Sequence, residues 1–77
     1  MSGDEIRYGR CYSNGIYGAK WAVYQVIREN EDGSVTFKVV AGANRRRTGT
    51  LPREEFARWA QYEVALKENE WVRLDQL

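Results

Sequence analysis

The sequence predicts a small α+β fold in which an antiparallel, strongly bent sheet of about four to five strands carries one helix after the fourth strand. Short runs of alternating apolar and polar residues recur before Pro52, as is typical of strands that bury one face. The pairs Asn14-Gly15 and Asp32-Gly33 mark turns between these runs. Pro52 opens a stretch with no further glycine or proline and with apolar residues at helical spacing, which predicts the helix.

The first strand is predicted over Ile6 to Tyr12, followed by a tight hairpin at Asn14-Gly15. Asn-Gly is the strongest short hairpin signal, because both central residues of a type I′ turn need a positive φ. In this register Tyr12 faces Tyr17 across the hairpin.

The clearest buried strand is predicted over Trp21 to Arg28, and it pairs with a strand over Val35 to Ala41. The first of the two is apolar on both faces, as is typical of a central strand, a barrel strand or an interface. The second alternates cleanly except at Val40. An acidic turn over residues 29–34 joins them, so the two strands form an antiparallel hairpin.

A fourth strand is predicted over roughly Arg46 to Leu51, and the helix begins at Pro52. Its spacing of apolar residues, with Phe56 and Trp59 seating it on the sheet, predicts a helix that extends to about Lys67.

An alternative fits the same residues. Tyr62, Val64 and Leu66 also alternate with other residues, as they would in a strand. In that interpretation the helix ends near Ala60, residues 67–70 form a turn, and a last strand covers residues 71–74. The sequence leaves helix and hairpin open for residues 61–74.

Short antiparallel strands around one small core, with a helix after the fourth strand, resemble an SH3-like barrel in architecture. A chain of 77 residues has room for a single small domain, predicted over residues 1–77 with a flexible N-terminus over residues 1–5. Trp21 is expected to be a buried part of its core.

Composition argues against several classes of function. The chain has no histidine and a single cysteine, Cys11, so we expect no internal disulfide, no histidine-based catalysis and no zinc site. No apolar run reaches the length of a membrane span, and the first residues are acidic rather than signal-like. We therefore expect a cytoplasmic protein without enzymatic activity, cofactor, metal, membrane contact or small-molecule substrate.

The charge is unevenly distributed although the formal net charge is only +1. Residues 35–53 carry basic but no acidic side chains, whereas acids dominate residues 54–77. Three of the basic residues are consecutive, Arg45-Arg46-Arg47, and closely spaced guanidinium groups suit contacts with phosphates.

Arginine and tyrosine alternate in the first predicted strand, and both types are enriched at protein interfaces and on sites for single-stranded nucleic acid. Trp71 lies among charged residues and is expected near the surface. The candidate binding residues are Arg10, Tyr12, Tyr17, Arg45, Arg46, Arg47 and Trp71.

These observations predict a non-catalytic binding module whose partner is a protein. Small domains often complete their core by oligomerisation, and an exposed edge strand can pair with a copy of itself, so a homodimer is the leading hypothesis. The alternative is a nucleic-acid-binding module that uses the Arg45–Arg47 loop and the arginine and tyrosine residues of the first hairpin.

Overall fold

The computed structural model describes residues 1–76, which form six strands and one α-helix. The elements are β1 Cys11–Ser13, β2 Ala22–Glu29, β3 Ser34–Gly42, β4 Thr48–Pro52, α1 Arg53–Trp59, β5 Tyr62–Lys67 and β6 Glu70–Arg73. Short 3₁₀ turns cover Gly3–Glu5, Gly18–Lys20 and Leu74–Gln76. In this part of the chain no helix combines the length and the apolar character needed to cross a membrane.

All six strands lie in one antiparallel sheet with the order β4-β3-β2-β1-β5-β6. The α+β class is confirmed, but the sheet has six strands rather than four to five. It is not closed into a barrel, because within residues 1–76 the end strands β4 and β6 do not pair with each other. The barrel form of the sequence prediction was therefore wrong, and the open sheet has two edges.

The sheet is bent at two β-bulges. Val23 pairs with Ala41 and Tyr24 with Val39, so Val40 is an extra residue in β3. Ile27 is the extra residue in β2. Such bulges increase the local twist. As a result β3 and β6, which are separated by three strands in the sheet, line a common cavity.

One face of the sheet is covered by α1. Phe56 is fully buried and meets the ring of Tyr12 edge-on, with 5.6 Å between ring centroids. Tyr24 lies flat between Trp59, at 3.9 Å, and Phe37, at 4.4 Å. These ring contacts confirm the expectation that Phe56 and Trp59 seat the helix on the sheet.

The N-terminal segment, for which the sequence predicts flexibility, folds against α1. The terminal ammonium of Met1 donates a hydrogen bond to the carbonyl oxygen of Ala57 at 3.0 Å. The Arg53 guanidinium, at the start of α1, donates to the carbonyl oxygen of Ile6 and pairs with the carboxylate of Glu29. One arginine therefore joins the N-terminus, β2 and the helix.

The predicted first hairpin was wrong. The first strand covers only Cys11–Ser13, and Tyr12 pairs with Tyr24 of β2 instead of Tyr17. The Asn14 side chain explains the difference, because it closes a wide loop rather than a tight turn. Its Nδ2 donates to the carbonyl oxygen of Lys20 at 2.8 Å, and its Oδ1 accepts from the Ala22 amide at 3.3 Å.

The long helix was also wrong, and the hairpin alternative is confirmed. The helix ends at Trp59 because Ala60 is extended, with φ −75° and ψ 126°. Residues 62–67 pair with β1 on one side and β6 on the other. Glu68 and Asn69 both have positive φ, as the two-residue turn of a type I′ hairpin requires. For residues 62–67, pairing with a strand on each side therefore outweighs the helical spacing of their apolar side chains.

Candidate binding surface

The face of the sheet opposite α1 carries a second, smaller group of apolar side chains. Directly paired residues share a face, so Cys11, Val23 and Val64 lie on the side opposite Tyr12. We call this surface the open face, because no helix covers it in residues 1–76. Its members are Cys11, Trp21, Val23, Val40, Ala41, Tyr62, Val64, Leu66 and Trp71.

The open face holds both buried and exposed apolar residues. Val23 and Val64 are buried at its centre, whereas Trp21 and Trp71 are only partly buried. Leu66 follows Val64 on the same face of β5 and remains 57% exposed. Large exposed apolar groups beside a partly covered core are typical of an interaction surface.

Trp21 lines a recessed part of this face. It immediately precedes β2, where the 3₁₀ turn Gly18–Lys20 ends, so it is not the buried strand residue that the sequence predicts. Two adjoining cavities of the open face, with volumes of about 490 and 370 Å³, share Trp21 and Trp71. We call these two cavities together the Trp21 groove. Their walls include Tyr17, Val40, Arg45, Tyr62, Leu66, Trp71 and Arg73.

The charge of the Trp21 groove is positive. Arg45 and Arg73 line it, and in residues 1–76 no carboxylate does. Arg73 is already held by Asp75, because its Nε and Nη2 donate to the two carboxylate oxygens at 3.0 and 2.8 Å. This pairing lowers the pKa of Asp75 below its ordinary value. The same guanidinium lies over the Tyr62 ring, 4.0 Å from its centroid, so it is a fixed part of the wall.

The three consecutive arginines form an exposed turn between β3 and β4. The turn backbone is tied to Val39, whose carbonyl accepts from the Arg46 amide at 2.8 Å and whose amide donates to the Arg47 carbonyl at 2.7 Å. Within the described residues no carboxylate lies within 4.0 Å of Arg45, Arg46 or Arg47. Their charges therefore face solvent at the end of the groove.

The residues of the predicted first hairpin lie apart from one another. Tyr12 is fully buried, and its hydroxyl donates to the Glu5 carbonyl at 2.6 Å and accepts from the Arg7 amide at 2.9 Å. Burial also raises the pKa of the Tyr12 hydroxyl. Its ring belongs to the core and offers no surface to a partner. Arg10 is exposed and lies 3.7 Å from the Glu63 carboxylate, outside the Trp21 groove.

The structure thus brings together only some of the candidate residues. Tyr17, Arg45 and Trp71 line the Trp21 groove, whereas Arg46 and Arg47 follow Arg45 in the exposed turn. Five further wall residues were not among the candidates: Trp21, Val40, Tyr62, Leu66 and Arg73. The signal for Tyr62 and Leu66 was the alternation along β5, which identifies them only once the hairpin alternative is chosen.

Cys11 shows no sign of an activated thiol. It is partly buried on the open face, and burial, with a smaller effect from the nearby Glu63 carboxylate, raises its pKa. In the part of the chain that the structure describes, no three histidine, cysteine or acidic side chains are grouped as a metal site would need.

The outer edge of β6 is free for strand pairing. In a two-residue hairpin the flanking residues, here Lys67 and Glu70, form a hydrogen-bonded pair, and such pairs alternate along the ladder. Trp71 and Arg73 therefore direct their backbone groups away from β5. Among the described residues, no backbone acceptor outside the ladder is found for the N–H groups of Trp71 and Arg73.

No protein-family model, curated protein or solved structure matches this chain.

Proposed function

We propose that this protein is a non-catalytic binding module that associates with a second copy of itself through edge strand β6. The observation that carries the proposal is the unpaired outer edge of β6, which borders the exposed apolar residues of the open face. Unpaired edges with apolar neighbours are templates for pairing with another chain.

The backbone groups of Trp71 and Arg73 point away from β5, and they determine the register of a second strand. When two β6 strands pair antiparallel around a two-fold axis, these residues form the hydrogen-bonded pairs. Trp71 of one copy then lies opposite Arg73 of the other. Val72 then lies opposite Val72 of the second copy, on the axis. Tryptophan opposite arginine is a favourable cross-strand pair, because the guanidinium is attracted to the indole face. The strand is complementary to itself in this register.

The other edge of the sheet is less suited to self-pairing. Strand β4 ends at Pro52, and proline blunts an edge because it has no N–H to donate. An antiparallel pair centred on Thr50 would also place Arg47 opposite Arg53 of the second copy, and like charges directly opposite are destabilising. These features favour β6 over β4.

The test changes the residue on the proposed axis. Val72→Lys and Val72→Glu each place two like charges across the axis, where side chains in the non-hydrogen-bonded position are closest. We expect wild type to dimerise in the micromolar range by light scattering, and each variant alone to be monomeric. An equimolar mixture of the two variants should recover the dimer mass, because lysine then faces glutamate. Circular dichroism checks that both variants are folded.

Two outcomes would overturn the proposal. A wild-type protein that has the mass of one chain at every concentration does not self-associate. Dimers that persist in both variants alone would show that association uses another surface than β6.

A further inference from the structure

We infer that the Trp21 groove binds single-stranded nucleic acid. The inference does not rest on self-association: Trp71 and Arg73 of β6 belong to both surfaces, but the groove is complete within a single chain. The groove combines the two features that such ligands require, which are aromatic rings on which bases stack and cations beside the path of the backbone.

The aromatic rings lie around a single cavity. Tyr17, Trp21, Tyr62 and Trp71 all line the cavity of about 490 Å³. Tyr17 is 86% exposed at its mouth, and Trp21 and Trp71 are partly exposed inside it. A ring that is exposed at the mouth of a cavity has a face free for stacking, and stacking tolerates any base because each base has a π-face.

The charges complement a phosphate backbone. Arg45 lines the groove and belongs to the exposed arginine turn, and Arg73 lies in another part of the wall. The three arginines of the turn have no carboxylate partner among the described residues. A strand that enters the groove can therefore release counterions from its phosphates without displacing an internal ion pair.

A single strand fits these walls better than a duplex. The rings are recessed in a concave face, and bases reach recessed rings only when they are unpaired and splayed out. An acidic peptide would satisfy the cations but would leave the rings of Tyr17, Trp21 and Trp71 without flat partners. Because the net charge of the whole chain is only +1, the attraction of a nucleic acid depends on the local positive charge at the groove.

The experiment measures the fluorescence anisotropy of dye-labelled oligothymidine and oligouridine titrated with the wild-type protein at low and moderate salt. Quenching of the intrinsic tryptophan fluorescence reports stacking in the same titration. If three to four phosphates are neutralised, the logarithm of the affinity should fall with the logarithm of salt concentration with a slope of roughly −2 to −3. Failure to bind at low salt would overturn the inference.

Matched variants separate the groove from general charge. The triple variant Arg45→Ala, Arg46→Ala and Arg47→Ala should weaken binding at least about tenfold. The control is Arg7→Ala, Arg28→Ala and Arg58→Ala, which removes the same charge from exposed positions outside the groove and should leave binding almost unchanged. Equal losses in the two triples would overturn the inference.

A second pair of variants tests stacking. Tyr17→Ala should weaken binding about tenfold, as expected for the loss of one stacked base. Tyr8→Ala removes another exposed tyrosine, 67% exposed and outside the groove, and should have no effect. Competition by poly-glutamate with the same dependence on Arg45–Arg47 but no dependence on Tyr17 would assign the groove to acidic proteins and overturn the nucleic-acid inference.

Discussion

Two buried or half-buried polar side chains hold together parts of the chain that are far apart in sequence. Tyr12 joins the core to the backbone of residues 5–7, and its ring packs against Phe56 of α1. Arg53 joins the same N-terminal segment to Glu29 of β2. Both act by satisfying backbone carbonyl or amide groups that would otherwise lack partners, so their removal affects stability more than binding.

The hydroxyl of Tyr12 provides the first prediction. Tyr12→Phe keeps the ring but leaves the Glu5 carbonyl and the Arg7 amide without their partner. We expect a loss of about 1–3 kcal/mol in the free energy of unfolding, measured by urea denaturation. Tyr8→Phe, at an exposed tyrosine, serves as the control and should change nothing. An unchanged unfolding free energy in Tyr12→Phe would contradict a role for the hydroxyl.

The pair between Glu29 and Arg53 predicts a dependence of stability on pH. The Arg53 guanidinium, followed by the Tyr8 amide, lowers the pKa of Glu29 below its ordinary value of 4.5. A group whose pKa is lower in the folded state stabilises the fold above its unfolded pKa, and this contribution is lost as the pH falls through the folded value.

The matching measurement compares wild type with Glu29→Gln by urea denaturation. Because the pair is partly exposed, we expect wild type to be more stable by only roughly 0.5–1 kcal/mol near neutral pH. The difference should shrink when the pH falls below 4.5. A difference that stays constant across this range would show that the Glu29 carboxylate is not the titrating group.

At the scale of the elements, strand pairing between distant segments determines the secondary structure where the local sequence pattern fits both a helix and a strand. The strands β2 and β3, the turn between them and the start of the helix at Pro52 follow the sequence closely, because each depends on neighbouring residues. The sequence did not predict that β1 would pair with β5, which lies about fifty residues further along the chain. That pairing explains why residues 62–67 form a strand although their spacing also fits a helix.

The same long-range effect explains the candidate site. Tyr17 and Arg45 belong to separate loops, and they line two adjoining cavities that share Trp21 and Trp71 because β3 and the β5–β6 hairpin curve toward each other. Trp21 was expected in the core because it begins an apolar run, but the 3₁₀ turn before it leaves its ring at the surface of the open face. The aromatic and basic residue types of the groove could be predicted from the sequence. Their common location could not, because it depends on the register of all six strands.

The turn between β5 and β6 supplies a prediction that separates hairpin from helix. Glu68 and Asn69 have φ values of 50° and 67°, which glycine and asparagine adopt with less strain than most residues. The double variant Glu68→Asn and Asn69→Gly should therefore raise the free energy of unfolding by about 0.5–1 kcal/mol. If the helix extended to about Lys67, both residues would lie after its end and outside a type I′ turn, so a free energy of unfolding from thermal denaturation that does not rise in the double variant would contradict the hairpin.

At the scale of the whole molecule, the two faces of the sheet have different roles. The face under α1 is closed by stacked aromatic rings and by the N-terminal segment, and it supplies the stability of the fold. The open face keeps three small residues buried and leaves tryptophan, tyrosine and leucine at the surface. Beside it, β6 ends the sheet with an unpaired edge. Both proposed interactions therefore lie on the open side of the molecule.

The most direct measurement of self-association through β6 is amide hydrogen exchange by NMR at several protein concentrations. The amides of Trp71 and Arg73 point away from β5 and should exchange rapidly in a dilute, monomeric sample. We predict that their exchange slows as the concentration rises, while the amide of Val72, which is paired within the hairpin, stays protected throughout. Exchange at Trp71 and Arg73 that is equally fast at every concentration would contradict pairing between copies at this edge.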